Sequence, residues 1–135
     1  MKFVLGDKIY AQTHANCLNY ILGTKYRGWQ RTCYNYNSNT IIWMFYKDNQ
    51  ERAGYRNKIV GDRLIEENVF HVNKWDGKPV NPDINRIAFS INYYGSKRVY
   101  TFEGVFKYCP EESETYKFSV YKRISTEIDI QRVGQ

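Results

Sequence analysis

Carboxylates are almost missing from the first third of this chain. Asp7 is the one acidic residue among positions 1–47, which hold six lysines and arginines, whereas residues 48–135 set 14 basic groups against 13 acidic ones. Nearly the whole net charge of +6 therefore belongs to the first segment, the footprint of a phosphate-facing surface on a balanced scaffold. Apolar runs are short as well. Nothing approaches the roughly 18 residues that a membrane span requires. The opening Phe3-Val4-Leu5 stops at Gly6-Asp7, too early for a secretory core. These absences predict a cytoplasmic chain with no membrane partner.

Cysteine and histidine are equally sparse. Cys17, Cys33 and Cys109 are odd in number and scattered, which argues for reduced thiols. His14-x-x-Cys17 is a single pair where a zinc site needs four ligands in recognisable couples, so no metal is expected. No Gly-x-Gly-x-x-Gly or P-loop supports a nucleotide cofactor, and none is expected. A metal-dependent nuclease needs Pro-Asp followed, about a strand later, by Glu-x-Lys. Pro82-Asp83 and Glu103-Gly104-Val105 come near, but Val105 stands where the lysine should be. The sequence thus carries no catalytic signature. The three prolines mark no linker and there is no repeat, so residues 1–135 are expected to form a single domain.

What the chain has in quantity is rings: 13 Tyr, 7 Phe and 3 Trp. Between Gly23 and Tyr36, Lys25, Arg27 and Arg31 alternate with Tyr26, Trp29, Tyr34 and Tyr36, with no acid among them. Cations can hold phosphates while rings stack on bases, so the mixture suits nucleic acid. Trp29 sits between Gly28 and Gln30 outside any apolar run, and reads either as a ligand-facing platform or as a core ring. Tyr55-Arg56-Asn57-Lys58 reads either as a second polar-aromatic patch or as an exposed edge strand. In the first case Asn57 would meet a base edge and Arg56 a phosphate. Asp62 reads as a helix cap or as an acceptor for a base amino group. Trp43, Phe45, Phe89 and Phe102 lie in apolar runs and belong to the core.

The spacing predicts a short strand at Lys2–Leu5 and a helix at His14–Leu22, opened by Gln12 or Thr13 and ended by Gly23. Strands follow at 31–36 and 40–47 around the turn Asn37-Ser38-Asn39, with a further turn at 48–54. Asp62 would cap a short helix at 63–68, with Glu66-Glu67 at its solvated end. Residues 76–83 form a proline-containing loop. Period-2 alternation marks strands at 86–94 and 98–108, joined at Gly95-Ser96-Lys97, with Tyr100, Phe102, Gly104, Phe106 and Tyr108 on one face. Gly104 inside such a strand signals a bulge or bend. Residues 109–115 read as an acidic loop and 116–124 as a strand. The fold class is α+β, mainly β: a small curled, mainly antiparallel sheet or barrel with one or two short helices.

Arg98-Val-Tyr-Thr-Phe-Glu-Gly-Val-Phe-Lys107, followed by Phe118-Ser-Val-Tyr-Lys-Arg-Ile124, resembles the paired closing strands of PUA-like barrels. That superfamily includes SRA-type and EVE-type readers of modified bases, often linked to bacterial restriction. The resemblance implies a barrel that reads a modified or flipped base, and it favours DNA over RNA. The glycine-rich segment that shapes the SRA pocket has no counterpart, so no pocket residue is carried over. On the residues alone, Trp29, Tyr34 and Tyr55 are candidates for stacking. Lys25, Arg27, Arg31, Arg56 and Arg98 are candidates for phosphates, and Asn57 and Asp62 for the base. The competing readings are a small metal-dependent nuclease using Asp83 and Glu103, or a protein-interaction module, in a defence complex or a homodimer, with the rings as its hydrophobic hot spot.

Overall fold

The computed structural model describes residues 1–47, 51–52, 55–68 and 80–133. β1 (Lys2–Val4) and β2 (Lys8–Ala11) lead into α1 (His14–Leu22). The Thr13 side chain caps α1 by accepting from the Asn16 N–H, and Gly23 ends it at φ 72°, its N–H bonded to the Asn19 carbonyl. Leu18, Ile21 and Leu22 are fully buried and fix the helix to the sheet.

The remaining elements are β3 (Cys33–Asn37), β4 (Thr40–Tyr46), β5 (Glu51–Arg52), β6 (Tyr55–Val60), β7 (Arg63–Asn68), β8 (Asn85–Tyr94), β9 (Lys97–Tyr108), α2 (Pro110–Tyr116), β10 (Ser119–Ser125) and β11 (Glu127–Asp129). The main sheet runs β3-β4-β8-β9-β10-β7-β6-β5, with β2 paired to β9, while β1 and β11 form a separate pair. β10 borders β9 at Val105–Tyr108 and β2 borders it at Arg98–Thr101, so one long strand serves two neighbours in turn.

The sheet curls. Trp43 and Phe45 on β4, Ala88 on β8, Phe106 and Tyr108 on β9, Tyr121 on β10 and Leu64 on β7 form one buried cluster. β4 and β7 stand four places apart in the sheet. Laid flat they would be about 19 Å apart, so their side chains meet only across a concave face. The curl returns β6 to the end of β4 through a parallel bridge between Lys47 and Asn57. A second cluster lies on the opposite face, where α1 packs on Ile42, Met44, Ile87, Phe89, Ile91, Tyr100 and Phe102.

The α+β, mainly β architecture expected from the sequence is the one observed. The helix at His14–Leu22 has the predicted bounds, and Trp43 and Phe102 are core residues, 3% and 0% exposed. Four expectations need correction. Residues 63–68 are strand β7 rather than a helix, because Gly61-Asp62 is a two-residue hairpin turn with Gly61 at φ 62°. A Gly-Asp turn and an aspartate N-cap look alike in sequence. Residues 109–115 are mostly helical rather than a loop: Pro110 opens α2, and Glu111 and Glu112 in its first turn suit the positive helix end. The last long strand accordingly starts at Ser119, not at Tyr116. β4 is the expected doubly covered central strand, and it pairs with β8 in parallel, seven residues in register, within a sheet whose other strand pairs are antiparallel.

The fourth correction concerns β9. Ala88 faces Gly104 but Phe89 faces Phe102, leaving Glu103 as an extra residue, a β-bulge. The bulge reverses the alternation. Tyr100 and Phe102 point to the α1 side, and Phe106 and Tyr108 to the concave side, so the five residues do not share one face. The strand expected from Arg31 begins at Cys33. Of the expected turn at 48–54, Glu51–Arg52 is strand and the rest lies outside the described residues, as do positions 76–79 of the proline loop. No helix among the described residues is long and apolar enough to cross a membrane.

Candidate nucleic-acid interface

The concave face carries polar groups among its rings. Asn57 on β6 and Glu66 on β7 are direct cross-strand partners, and both alternate with residues of the concave cluster, Ile59 and Leu64. The Asn57 amide donates to the Glu66 carboxylate. Enclosure of that carboxyl raises its pKa, opposed by the nearby Arg86 guanidinium and by the Asn57 hydrogen bond. Arg86 on β8 lies 4.7 Å from the ring centres of both Trp43 and Tyr121. Burial also raises the Cys33 thiol beside them.

One atom in this group is left over. Asn57 is 5% exposed, its Oδ1 is buried, and it has no hydrogen-bond partner. A buried acceptor without a donor costs about 1–3 kcal/mol unless something satisfies it. Trp29 Nε1 and Asn85 Oδ1 are also buried and unpaired, but they belong to half-buried residues outside the concave cluster.

At the rim where β4 meets β6, Glu103 occupies the bulge. Its Oε2 accepts from Ser90 Oγ at 2.6 Å and from Lys47 Nζ at 2.8 Å. Lys47 is the residue that bridges to Asn57, so the carboxylate pins the closure that holds Asn57 in place. This employment also bears on the nuclease alternative. Asp83 precedes β8, whereas Glu103 lies beside Ala88 and Phe89. The separation is about 16 Å along the strand, too far to share a metal ion. No group of three or more His, Cys, Asp or Glu side chains able to hold a metal occurs among the described residues.

The predicted site residues fall into separate places. Tyr26, Trp29 and Tyr34 form a ring cluster with centroids 5.2–5.9 Å apart, packed on the α1-side core. The Tyr26 and Tyr34 hydroxyls are 3.1 Å apart, and that bond pushes the Tyr34 pKa up to about 12. Lys25, Arg27 and Arg31 stand exposed around this cluster. Tyr55 and Arg56 are exposed on β6, while Asn57 turns inward. Asp62 is exposed in the hairpin turn and ion-paired to Arg63 at 2.7 Å, so it caps no helix. Arg98 faces the α1 side, where its Nε donates to Tyr46 Oη at 3.1 Å and its Nη1 to the Gln12 carbonyl. His14 Nδ1 lies 2.6 Å from Tyr100 Oη. Burial, helped by Arg98, lowers its pKa to about 4.

Sequence reading missed Glu66 and Arg86. The signal for Glu66 was present: taken as a strand, 63–68 puts Leu64 and Glu66 on one face. Arg86 was hidden because a strand-end arginine ordinarily points to solvent.

The family model for the SET and RING associated domain, SRA, matches residues 2–130. The chain belongs to the SRA family. The SRA domain described here is also similar in fold to a solved structure titled "The 5-Hydroxymethylcytosine-Specific Restriction Enzyme AbaSI", with a TM-score of 0.68 and 21% identity. That alignment covers 97% of this SRA domain and 43% of the AbaSI chain, so the chain spans less than half of that enzyme's length. No curated protein matches it. As a member of this family, the chain is a nucleic-acid-binding module.

Proposed function

We propose that this SRA domain holds one cytosine-type base, extruded from a DNA duplex, against its concave face, with Asn57 and Glu66 reading the base edge. The observation that carries the reading is the buried, unpaired Oδ1 of Asn57. Cytosine offers the complement through its exocyclic amino group, a hydrogen-bond donor, beside the N3 acceptor. Asn57 Oδ1 would accept from the amino group. Glu66, held towards its protonated form by enclosure, would donate to N3. Thymine presents an acceptor and a donor at those two positions and mismatches both groups. Sites built on buried hydrogen-bonding groups reject the wrong partner strongly, because their polar atoms are then left unpaired. The rings beside Asn57 and Glu66 supply the apolar wall that an unstacked base needs.

The likeness to a 5-hydroxymethylcytosine-specific restriction enzyme supports a base substituted at C5 and a role in restriction. In that role this domain would act as the reader on cytoplasmic DNA. The exposed Lys25, Arg27 and Arg31 would add phosphate contacts.

The test is a titration of duplexes that differ at one position, carrying cytosine, 5-methylcytosine, 5-hydroxymethylcytosine or thymine. A modified cytosine should bind tightest, and Asn57→Ala should remove most of the discrimination while leaving non-specific binding. Equal affinity of the wild-type protein for all four duplexes would overturn the reading.

A further inference from the structure

The strand register carries the concave face beyond the closure at Lys47. Ser90 pairs with Phe45 on one side and Thr101 on the other, and Thr101 pairs with Lys8. Val99 lies between Asn92 and Tyr10, and Tyr94 is opposite Lys97. Directly paired residues share a face and alternate residues repeat it. Lys8, Tyr10, Asn92, Tyr94 and Lys97 therefore continue the same face that bears Phe45 and Ser90, now as an open shelf on β2, β9 and β8.

The shelf is built and uncovered. Tyr10 and Tyr94 are 57% and 72% exposed, and their rings meet edge-on at 6.2 Å over Val99, which is 8% exposed. Lys8 and Lys97 are exposed, and neither pairs with a carboxylate among the described residues. No acidic residue occurs between Asp83 and Glu103. Among the described residues, Asp7, next to Lys8 in sequence, accepts from the Val4 N–H at 2.9 Å, and Glu103 is paired to Lys47.

We infer that this shelf holds the sugar-phosphate backbone of the duplex on one flank of the extruded nucleotide, Lys8 and Lys97 bearing on phosphates and Tyr10 and Tyr94 packing along the strand. The inference rests on the base-reading role of the concave face, whose rim the shelf adjoins. From the Lys97 row to the Thr101 row is about 13 Å. That length spans roughly two to three consecutive phosphates of one strand, whose spacing along the winding backbone exceeds their axial rise. An open sheet face with two tyrosines and two lysines that pair with no carboxylate among the described residues complements a polyanion.

The experiment measures affinity against salt concentration for a duplex with one 5-hydroxymethylcytosine and for its unmodified counterpart. The Lys8→Ala/Lys97→Ala variant should lower the log–log salt slope by roughly two units and weaken both duplexes by the same factor. Lys107→Ala/Lys122→Ala, the same change of charge at a cross-strand pair on the far side of the sheet, should move the slope by less than about half a unit. Tyr10→Ala/Tyr94→Ala should weaken both duplexes several-fold with the slope unchanged. An unaltered slope in the shelf variant, or an equal drop in the far-side variant, would overturn the inference. Failure of the base-reading role would show differently, as Asn57→Ala keeping full discrimination while the shelf variant still loses slope.

Discussion

A Cβ on Gly104 would lie 2.8 Å from the carbonyl oxygen of Ser125, and the Gly104 backbone has φ 113°. The bulge in β9 therefore depends on a glycine twice over, for conformation and for the approach of β10. Gly104→Ala should destabilise the fold by about 2–4 kcal/mol in denaturant unfolding, since strain and a backbone clash combine. A loss below about 0.5 kcal/mol would mean that β10 shifts freely, and the account of the bulge would fail.

His14 should leave a mark on acid stability. Its folded pKa of about 4 lies below the ordinary 6.5, so the unfolded chain takes up the proton first. The stability tied to the neutral ring is complete above pH 6.5 and declines as pH falls towards 4. With partial screening at a site that is not fully enclosed, the loss should be about 2 kcal/mol. His14→Asn, which keeps an acceptor for Tyr100, should flatten the unfolding free energy across that window.

Glu66 acts in the opposite sense. A carboxyl with a raised folded pKa contributes stability at low pH that is lost as pH climbs through the folded value. Arg86 on β8, Tyr121 on β10 and Cys33 on β3 face it, with Asn57 beside it on β6. Base affinity should follow the same course, because N3 requires the proton. Glu66→Gln should bind the modified duplex without that pH dependence, its amide serving as a permanent donor. A Gln variant whose affinity still falls with rising pH would remove Glu66 from the base edge.

Trp43 and Trp29 should separate cleanly. Trp43→Ala opens a cavity in the concave cluster and exposes Arg86, and should cost about 3–5 kcal/mol. Trp29 is half-buried against Tyr26 and Tyr34, so Trp29→Ala should cost roughly 1–2 kcal/mol. Thermal unfolding of the two variants decides the order.

The legible parts of the fold were those where one local rule acts alone. Thr13 and Gly23 bracket α1 without help from tertiary contacts, and the alternation in 85–94 and 97–108 is strong enough to survive the bulge. The errors fall where two local rules share a signature. Gly61-Asp62 serves a hairpin as well as a helix start, and Pro110-Glu111-Glu112 serves a helix start as well as a loop. The site was legible in part. Asn57 could be singled out as a polar residue in a strand with rings, but its partners Glu66 and Arg86 come from strands 9 and 29 residues away. Their meeting is a property of the curl. The shelf was invisible for the same reason: Lys8 and Tyr10 join Tyr94 and Lys97 only through the register on β9.

The parallel joint between β4 and β8 has a consequence for how the chain reaches this form. Thr40 must find Asn85, 45 residues away, whereas β8 and β9 meet through a two-residue turn. Closing so long a loop is entropically slow, and topologies rich in distant pairings fold in milliseconds to seconds. The hairpin should assemble first and β4 dock late. Until it does, Thr-Ile-Ile-Trp-Met-Phe-Tyr at positions 40–46 presents seven residues without a charge, an open edge for another chain to pair with. The segment that supplies Trp43 to the concave cluster is thus also the place where a slowly folding population would begin to aggregate.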